Sequence, residues 1–273
     1  MPIVSQAEAL PQAVQAVLEL VQAGTFSRPD VLALMAPHAR VKTANGIFSG
    51  GTEVTEAALA TTRSLGLVVE ARGVLRVVGL PAYPNGRAYR NAIRTGVFAT
   101  ERQFAGAIHW FYRQDAYRVP PERKFGDYQH HDEFQAIVSN ETQFDNFRRW
   151  ALYLGLIQQQ WVSSGRVLLP DPTQALEDVW PEVAAGLGRH VSAPKLVEAI
   201  LDALPVIDSS QARQLGGALS FALIGLERMS QLVFKNESDA ECVTLTLPAS
   251  VRDISSVELT EVKTVSLAAA VKA

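Results

Sequence analysis

The side chains with the clearest chemical potential are Thr142, Gln143, Asn146, Arg148 and Arg149, gathered on one short segment, with Arg166 soon after it. Hydroxyl, amide and guanidinium groups hydrogen-bond phosphate oxygens and base edges, so this set suits nucleic-acid binding rather than bond-making. Arg72 and Arg76 occupy a comparable place earlier in the chain. For these arginines the plain alternative is surface ion pairing, which contributes about 0–1 kcal/mol per pair. A second group, His130, His131, Asp132 and Glu133, carries donors that could ligate a metal. Its alternative is a solvated loop leading into a short helix, and that reading is adopted: no metal, no cofactor and no catalytic residue is assigned. The glycine-rich stretch 46–52 lacks the lysine of a phosphate-binding loop, and no GxGxxG, HExxH or paired CxxC occurs.

A helix and a hairpin must present these side chains, and residues 140–170 read as both. Asn140 is the expected N-cap, with Gln143 at the capping-box position. Phe144, Phe147, Ala151 and Leu154 recur at three- and four-residue steps, so they form one buried stripe and leave Thr142, Gln143, Asn146 and Arg149 on the outer face. Leu154-Gly155-Leu156 should close the helix, and Gly165 should turn the chain between strands 158–162 and 166–169. The result is a recognition helix followed by a wing. The device recurs. Leu65-Gly66-Leu67 leads through a hairpin to Leu80-Pro81 at the same spacing, and Ile224-Gly225-Leu226 leads through a longer hairpin, 231–247, to Pro248. Leu-Gly-Leu is also an ordinary helix end followed by a strand, so the third copy stays open between a degenerate repeat and coincidence.

Ahead of the first hairpin, a helix is expected at 10–23, with Val14, Val17, Leu18 and Val21 on one stripe. Ser27 and Asp30 should cap a second, with Val31, Leu34 and Met35 inward, and a third should span 52–64. Asn45-Gly46 signals a small hairpin between those two. Residues 80–86 are turn-rich and mark a boundary. Beyond it, Thr100 with Gln103 should cap a helix bearing Phe104, Ala107, Ile108 and Phe111, and a short helix at 133–138 should precede Asn140. The last third should hold helices at 173–185, kinked or split at Pro181, at 193–203 and at 211–226, then an edge strand with Val257, Leu259, Val265 and Leu267 on one side. Three modules follow: 1–84, 85–170 and 171–273.

The chain has 273 residues, 48% of them hydrophobic and 19% charged, which places it among ordinary globular proteins with enough apolar surface for packed cores. The longest apolar run, 218–226, is too short to cross a bilayer, no secretory signal is visible, and Cys242 is alone, so no membrane role and a cytoplasmic location are expected. The net charge of -3 is unevenly spread. Residues 1–90 hold eight Lys/Arg against six Asp/Glu, residues 91–170 nine against eight, and residues 171–273 eight against fourteen. An acidic face repels a polyanion, so phosphate contact is expected in the first two thirds. The last third is where a protein partner or a second copy would bind.

Three helices followed by a wing resemble the winged helix-turn-helix superfamily, most fully over 98–170 and less so over 8–81. The resemblance implies a mainly α fold with small β-hairpins (α+β), built as tandem winged helix-turn-helix modules, with 171–273 as a candidate third, degenerate copy. In length and domain order the chain also resembles the DpdG-type proteins associated with 7-deazapurine DNA modification, and with them accessory subunits of prokaryotic DNA-processing and phage-defence operons. What that implies is a non-catalytic protein of antiviral defence that binds double-stranded DNA through its first two modules. The competing class is a protein–protein adaptor, in which winged helices bind polypeptides instead of DNA, as in kleisin-associated subunits of condensin-like complexes. Near-neutral modules and an acidic last third fit it. An enzyme would need a pocket joining His130, His131 and Asp132 to a distant carboxylate.

Overall fold

Val14, Val17, Leu18 and Val21 are buried along one face of a helix, and amphipathic helices of this kind, joined by short hairpins, make the protein mainly α with small β-sheets (α+β). The computed structural model describes residues 3–5, 9–35, 42–43, 46–47, 52–118, 120, 122, 124–163, 165–205, 213–237 and 240–260. Two compact units emerge: residues 1–111 with 119–169, and residues 112–118 with 170–273.

The first unit opens with a 3-10 turn, Ile3–Ser5, followed by α1 (Pro11–Ala23), α2 (Arg28–Met35), the paired strands β1 (Lys42–Thr43) and β2 (Gly46–Ile47), and α3 (Thr52–Ser64). Strands β3 (Val68–Ala71) and β4 (Val74–Val77) form the first long hairpin. Asn45, half of the expected turn signal, lies outside the described residues. Ser27 donates its N–H and its hydroxyl to the Asp30 carboxylate at 2.9 and 2.6 Å, which starts α2 as the sequence predicts. Leu34, expected inward, is 54% exposed, because Val31 is the only residue that α2 buries. Between α1 and α2, Phe26 bridges to Leu75 of β4, whose N–H donates to the Phe26 carbonyl at 2.8 Å. The hairpin turns at Arg72-Gly73, both with positive φ (54° and 76°), as a two-residue turn matched to strand twist requires.

The chain then enters α4 (Gly86–Thr100), a helix the sequence reading did not anticipate. Asn85 Oδ1 accepts the Ala88 N–H at 2.9 Å, and Tyr89, Ile93 and Val97 are buried at four-residue steps. Thr100 is therefore not an N-cap: it ends α4, and its hydroxyl donates to the Gly96 carbonyl at 2.8 Å. Next come α5 (Arg102–Tyr112), α6 (Phe125–Tyr128), α7 (Asp132–Ile137), α8 (Glu141–Tyr153) and the hairpin of β5 (Gln158–Val162) with β6 (Gly165–Leu169). Phe104, Phe111, Phe134 and Phe147 form an aromatic core, with Phe111 and Phe147 stacked at 5.3 Å between ring centres.

Helix α4 touches both Leu-Gly-Leu turns. At each turn the glycine is left-handed, Gly66 at φ 72° and Gly155 at φ 68°. The N–H of the following leucine donates back at 2.9 Å, Leu67 to Thr62 and Leu156 to Ala151. A Cβ on Gly96 would lie 2.8 Å from the Leu65 carbonyl oxygen, so only glycine fits there. Arg94, 2% exposed, donates Nε and Nη2 to the Leu154 carbonyl at 3.1 and 2.7 Å and Nη1 to Asn91 Oδ1 at 2.8 Å. One residue after α4, Glu101 accepts the Ile3 N–H at 3.0 Å and anchors the N-terminal turn. Burial pushes its pKa up, against the opposing pull of that hydrogen bond.

The second unit adds to residues 112–118 the elements α9 (Thr173–Ala185), β7 (His190–Ser192), α10 (Ala193–Ala203), β8 (Gln214–Leu215), α11 (Gly217–Arg228), β9 (Leu232–Lys235), β10 (Val243–Thr246), β11 (Val251–Ile254) and β12 (Ser256–Leu259). Pro181 does not split α9, which runs through it as one helix. Two expectations fail here. First, α11 does not stop at Gly225. It continues to Arg228, and Ser230 (φ 58°) takes the left-handed position while the Gln231 N–H donates to Leu226 at 3.0 Å. Gly225 serves packing, since a Cβ there would sit 3.3 Å from Thr173 Cγ2. Second, 231–247 is not a hairpin: β9 pairs with β12, and β10 pairs with β11 and β8, giving sheets in the order β7-β12-β9 and β11-β10-β8. The register Val257↔Phe234 and Leu259↔Leu232 puts four buried apolar residues on one face. Thus β12 is a central strand and not an edge, and Val265 and Leu267 lie outside the described residues.

Gly96→Ala should destabilise the protein by about 1–3 kcal/mol, because the neighbouring atom is backbone and cannot rotate away. Arg94→Met keeps the volume but leaves a buried carbonyl without its donors, for a loss of about 1–3 kcal/mol, both read by urea unfolding. For Glu101 the sign runs the other way. Folding raises its pKa, so the folded chain keeps the proton longer, and this group's contribution declines as pH climbs from the ordinary carboxylate range through the folded value. Glu101→Gln should abolish that decline, with a urea midpoint at neutral pH no lower than that of the parent; a lower one would contradict it.

Candidate nucleic-acid interface

Helix α8 begins as its sequence dictates. Asn140 Oδ1 accepts the Gln143 N–H at 3.0 Å. Gln143 Oε1 answers by accepting from Ser139, at 2.8 Å from its N–H and 3.0 Å from its hydroxyl, one residue earlier than an ordinary capping box. Gln143 Nε2 lies 3.5 Å from Ser5 Oγ, so both ends of this side chain face protein groups.

The expectation that Asn146 faces outward is overturned: it is 2% exposed. The N-terminal part of the first unit lies against that side of the helix. Trp150 Nε1 donates to the Ala9 carbonyl at 2.8 Å, and the Tyr153 hydroxyl bonds Gln15 Oε1. Gln143, Asn146, Trp150 and Tyr153 follow three- and four-residue spacing, so they make a second covered stripe beside Phe144, Phe147, Ala151 and Leu154. Outward there remain Glu141, Thr142 and Arg149, with Arg148 held by Asp145 at 3.0 Å.

The β5–β6 hairpin offers more. Trp161 stands opposite Arg166 in the register, is 75% exposed, and carries the guanidinium carbon 5.4 Å from its ring centre. Trp110, Trp150 and Trp180 are at most 5% exposed. The sequence reading passed over Trp161; its signal was an indole between three glutamines and a serine-glycine turn, where no core residue is needed. On the β3–β4 hairpin Arg72 sits at the turn and Arg76 is exposed opposite Val69. Among the described residues Arg72, Arg76, Arg149 and Arg166 have no carboxylate at ion-pair distance, whereas Arg28 pairs with Glu56 at 3.7 Å and Arg63 with Glu70 at 3.4 Å.

Helices α3 and α11 offer less to a polyanion. Glu53, Glu56 and Arg63 dominate the open side of α3. In α11 Arg228 is the one exposed residue, and Phe221 meets the ring of Tyr117 at 5.7 Å. The histidine group does not converge: His131 Nε2 lies 2.8 Å from Glu122 Oε1, and His130, Asp132 and Glu133 are exposed residues. Among the described residues no three His, Cys, Asp or Glu side chains could share a metal ion, and no helix is long and apolar enough to cross a membrane.

No curated protein and no solved structure matches the chain. A family model described as DpdG-like matches residues 1–240, which takes in the whole first unit and most of the second. The match spans most of the 273 residues, and the chain belongs to the DpdG-like family.

Proposed function

We propose that this protein is a non-catalytic accessory subunit of a prokaryotic DNA-modification or phage-defence system, cytoplasmic, that binds double-stranded DNA through its first unit. Membership of the DpdG-like family supports the accessory role. The observation that carries DNA contact is that four exposed arginines on α8 and the two wings have no carboxylate partner among the described residues: Arg149 on α8, Arg166 on the second wing, and Arg72 and Arg76 on the first. Arginines with no carboxylate partner are available to phosphate, and those already in ion pairs are less so. Thr142 joins them at the open start of α8. Gln143, Asn146 and Arg148 act from behind, by shaping the helix.

The modules 1–84, 85–170 and 171–273 are read as three winged helices. In the first, a bridge between α1 and α2 pairs with the second wing strand. The third supports the same reading: β7, between α9 and α10, pairs with β12, which pairs with β9. The β10–β11 strands are an insertion between its wing strands.

A second reading has its own support. Met229, Val233 and Val251 are 43%, 47% and 58% exposed, with the two valines on the edge strands β9 and β11, and α11 is buried almost all round. These features suit a protein partner or self-association through 171–273, as in an adaptor without DNA contact.

With about four arginines on phosphate, the log-log salt dependence of duplex affinity should have a slope of about -3 to -4. Arg149→Ala with Arg166→Ala should flatten it by about two. An unchanged slope, measured by mobility shift at several salt concentrations, removes the second wing from the interface; no duplex binding at low salt leaves the adaptor.

A further inference from the structure

We propose that Trp161, with Arg166 above it, is a stacking platform for an unpaired or extruded nucleobase, so that the second wing prefers duplex DNA with an opened base step over continuous duplex. This rests on the DNA-contact reading above and adds the kind of DNA.

Three of the four indoles are in the protein interior, and the fourth stands three-quarters exposed one residue before a hairpin turn. The guanidinium covers one face of its ring and leaves the other free for a flat partner. The same guanidinium is a phosphate ligand, so ring and charge together match one nucleotide: a base against the indole and its phosphate against Arg166. Continuous duplex offers no free base face, and entering it requires unstacking a step; an unpaired base, a gap or a single-strand junction has already met that cost. Strands β5 and β6 hold the pair in fixed register, Trp161 opposite Arg166 and Val162 opposite Gly165, so the platform does not have to order itself on binding. An acidic peptide could meet Arg166 but would leave the open indole face unused.

The test uses the full chain, an intact duplex, and the same duplex carrying one unpaired adenine. Because the other indoles are buried, a change in tryptophan emission on adding DNA reports mainly on Trp161. The expected result is tighter binding of the bulged duplex by about 5- to 100-fold, with emission quenched more by it than by intact duplex. Trp161→Ala should erase the preference and the quench while leaving the melting temperature and the salt slope unchanged, and Trp161→Phe should restore part of the preference. Arg166→Ala should flatten the slope by about one, which a purely structural role for the pair would not do. Equal affinity for both duplexes, or a preference that survives Trp161→Ala, overturns the stacking platform and leaves duplex binding standing. No binding of either duplex overturns both.

Discussion

The buried guanidinium of Arg94 against the carbonyl of Leu154, the residue that caps the C-terminus of α8, is the contact on which the first unit depends. The final carbonyls of a helix have no intrahelical donors and carry partial negative charge, and Arg94 supplies donors and positive charge where water is excluded. Two residues along the same helix, Gly96 lies against the corresponding turn after α3. A single helix therefore fixes the ends of α3 and α8, and with them the start of both hairpins. Each hairpin follows a left-handed glycine, and the leucine before each glycine lies against α4.

That arrangement has a consequence for the surface. Once α8 is pinned at its C-terminus, its side bearing Asn146 and Trp150 meets the N-terminal segment through the Ala9 carbonyl. Only a narrow outward strip remains, and it is mixed in charge, with Glu141 beside Thr142 and Arg149. The balance of available chemistry shifts from the helix to the hairpin, where Trp161 and Arg166 face each other across the strands. A helix hemmed in on two sides cannot lie deep in a major groove, but a projecting hairpin can reach phosphate and the edge of a base step.

Local features were readable because they are set by neighbours in the chain. The Asn140 cap, the Phe144 stripe, the glycines at 66 and 155 and the strands of the two hairpins β3–β4 and β5–β6 all follow from residues within a few positions of one another. What was missed depends on distant partners. Asn146 looked outward because the segment that covers it lies more than a hundred residues away. Helix α4 was hidden by the turn signals before it, and its buried Arg94 broke the apolar pattern. In the second unit, Gly225 imitated a helix end although its role is to admit Thr173, and β9 was matched to the next strand in sequence when its partner is β12. Hydrophobic alternation gives the face of a strand, but it does not name the neighbour.

The central claim is that the first unit meets duplex DNA with Arg149 and the second wing. Hydrogen–deuterium exchange of the full chain, with and without saturating duplex, reads this most directly. Slowed exchange over residues 158–169 and at the start of α8, with residues 213–260 unchanged, is the expected result. Unchanged exchange over 158–169 with DNA bound, or protection confined to β9 and β11, would contradict it.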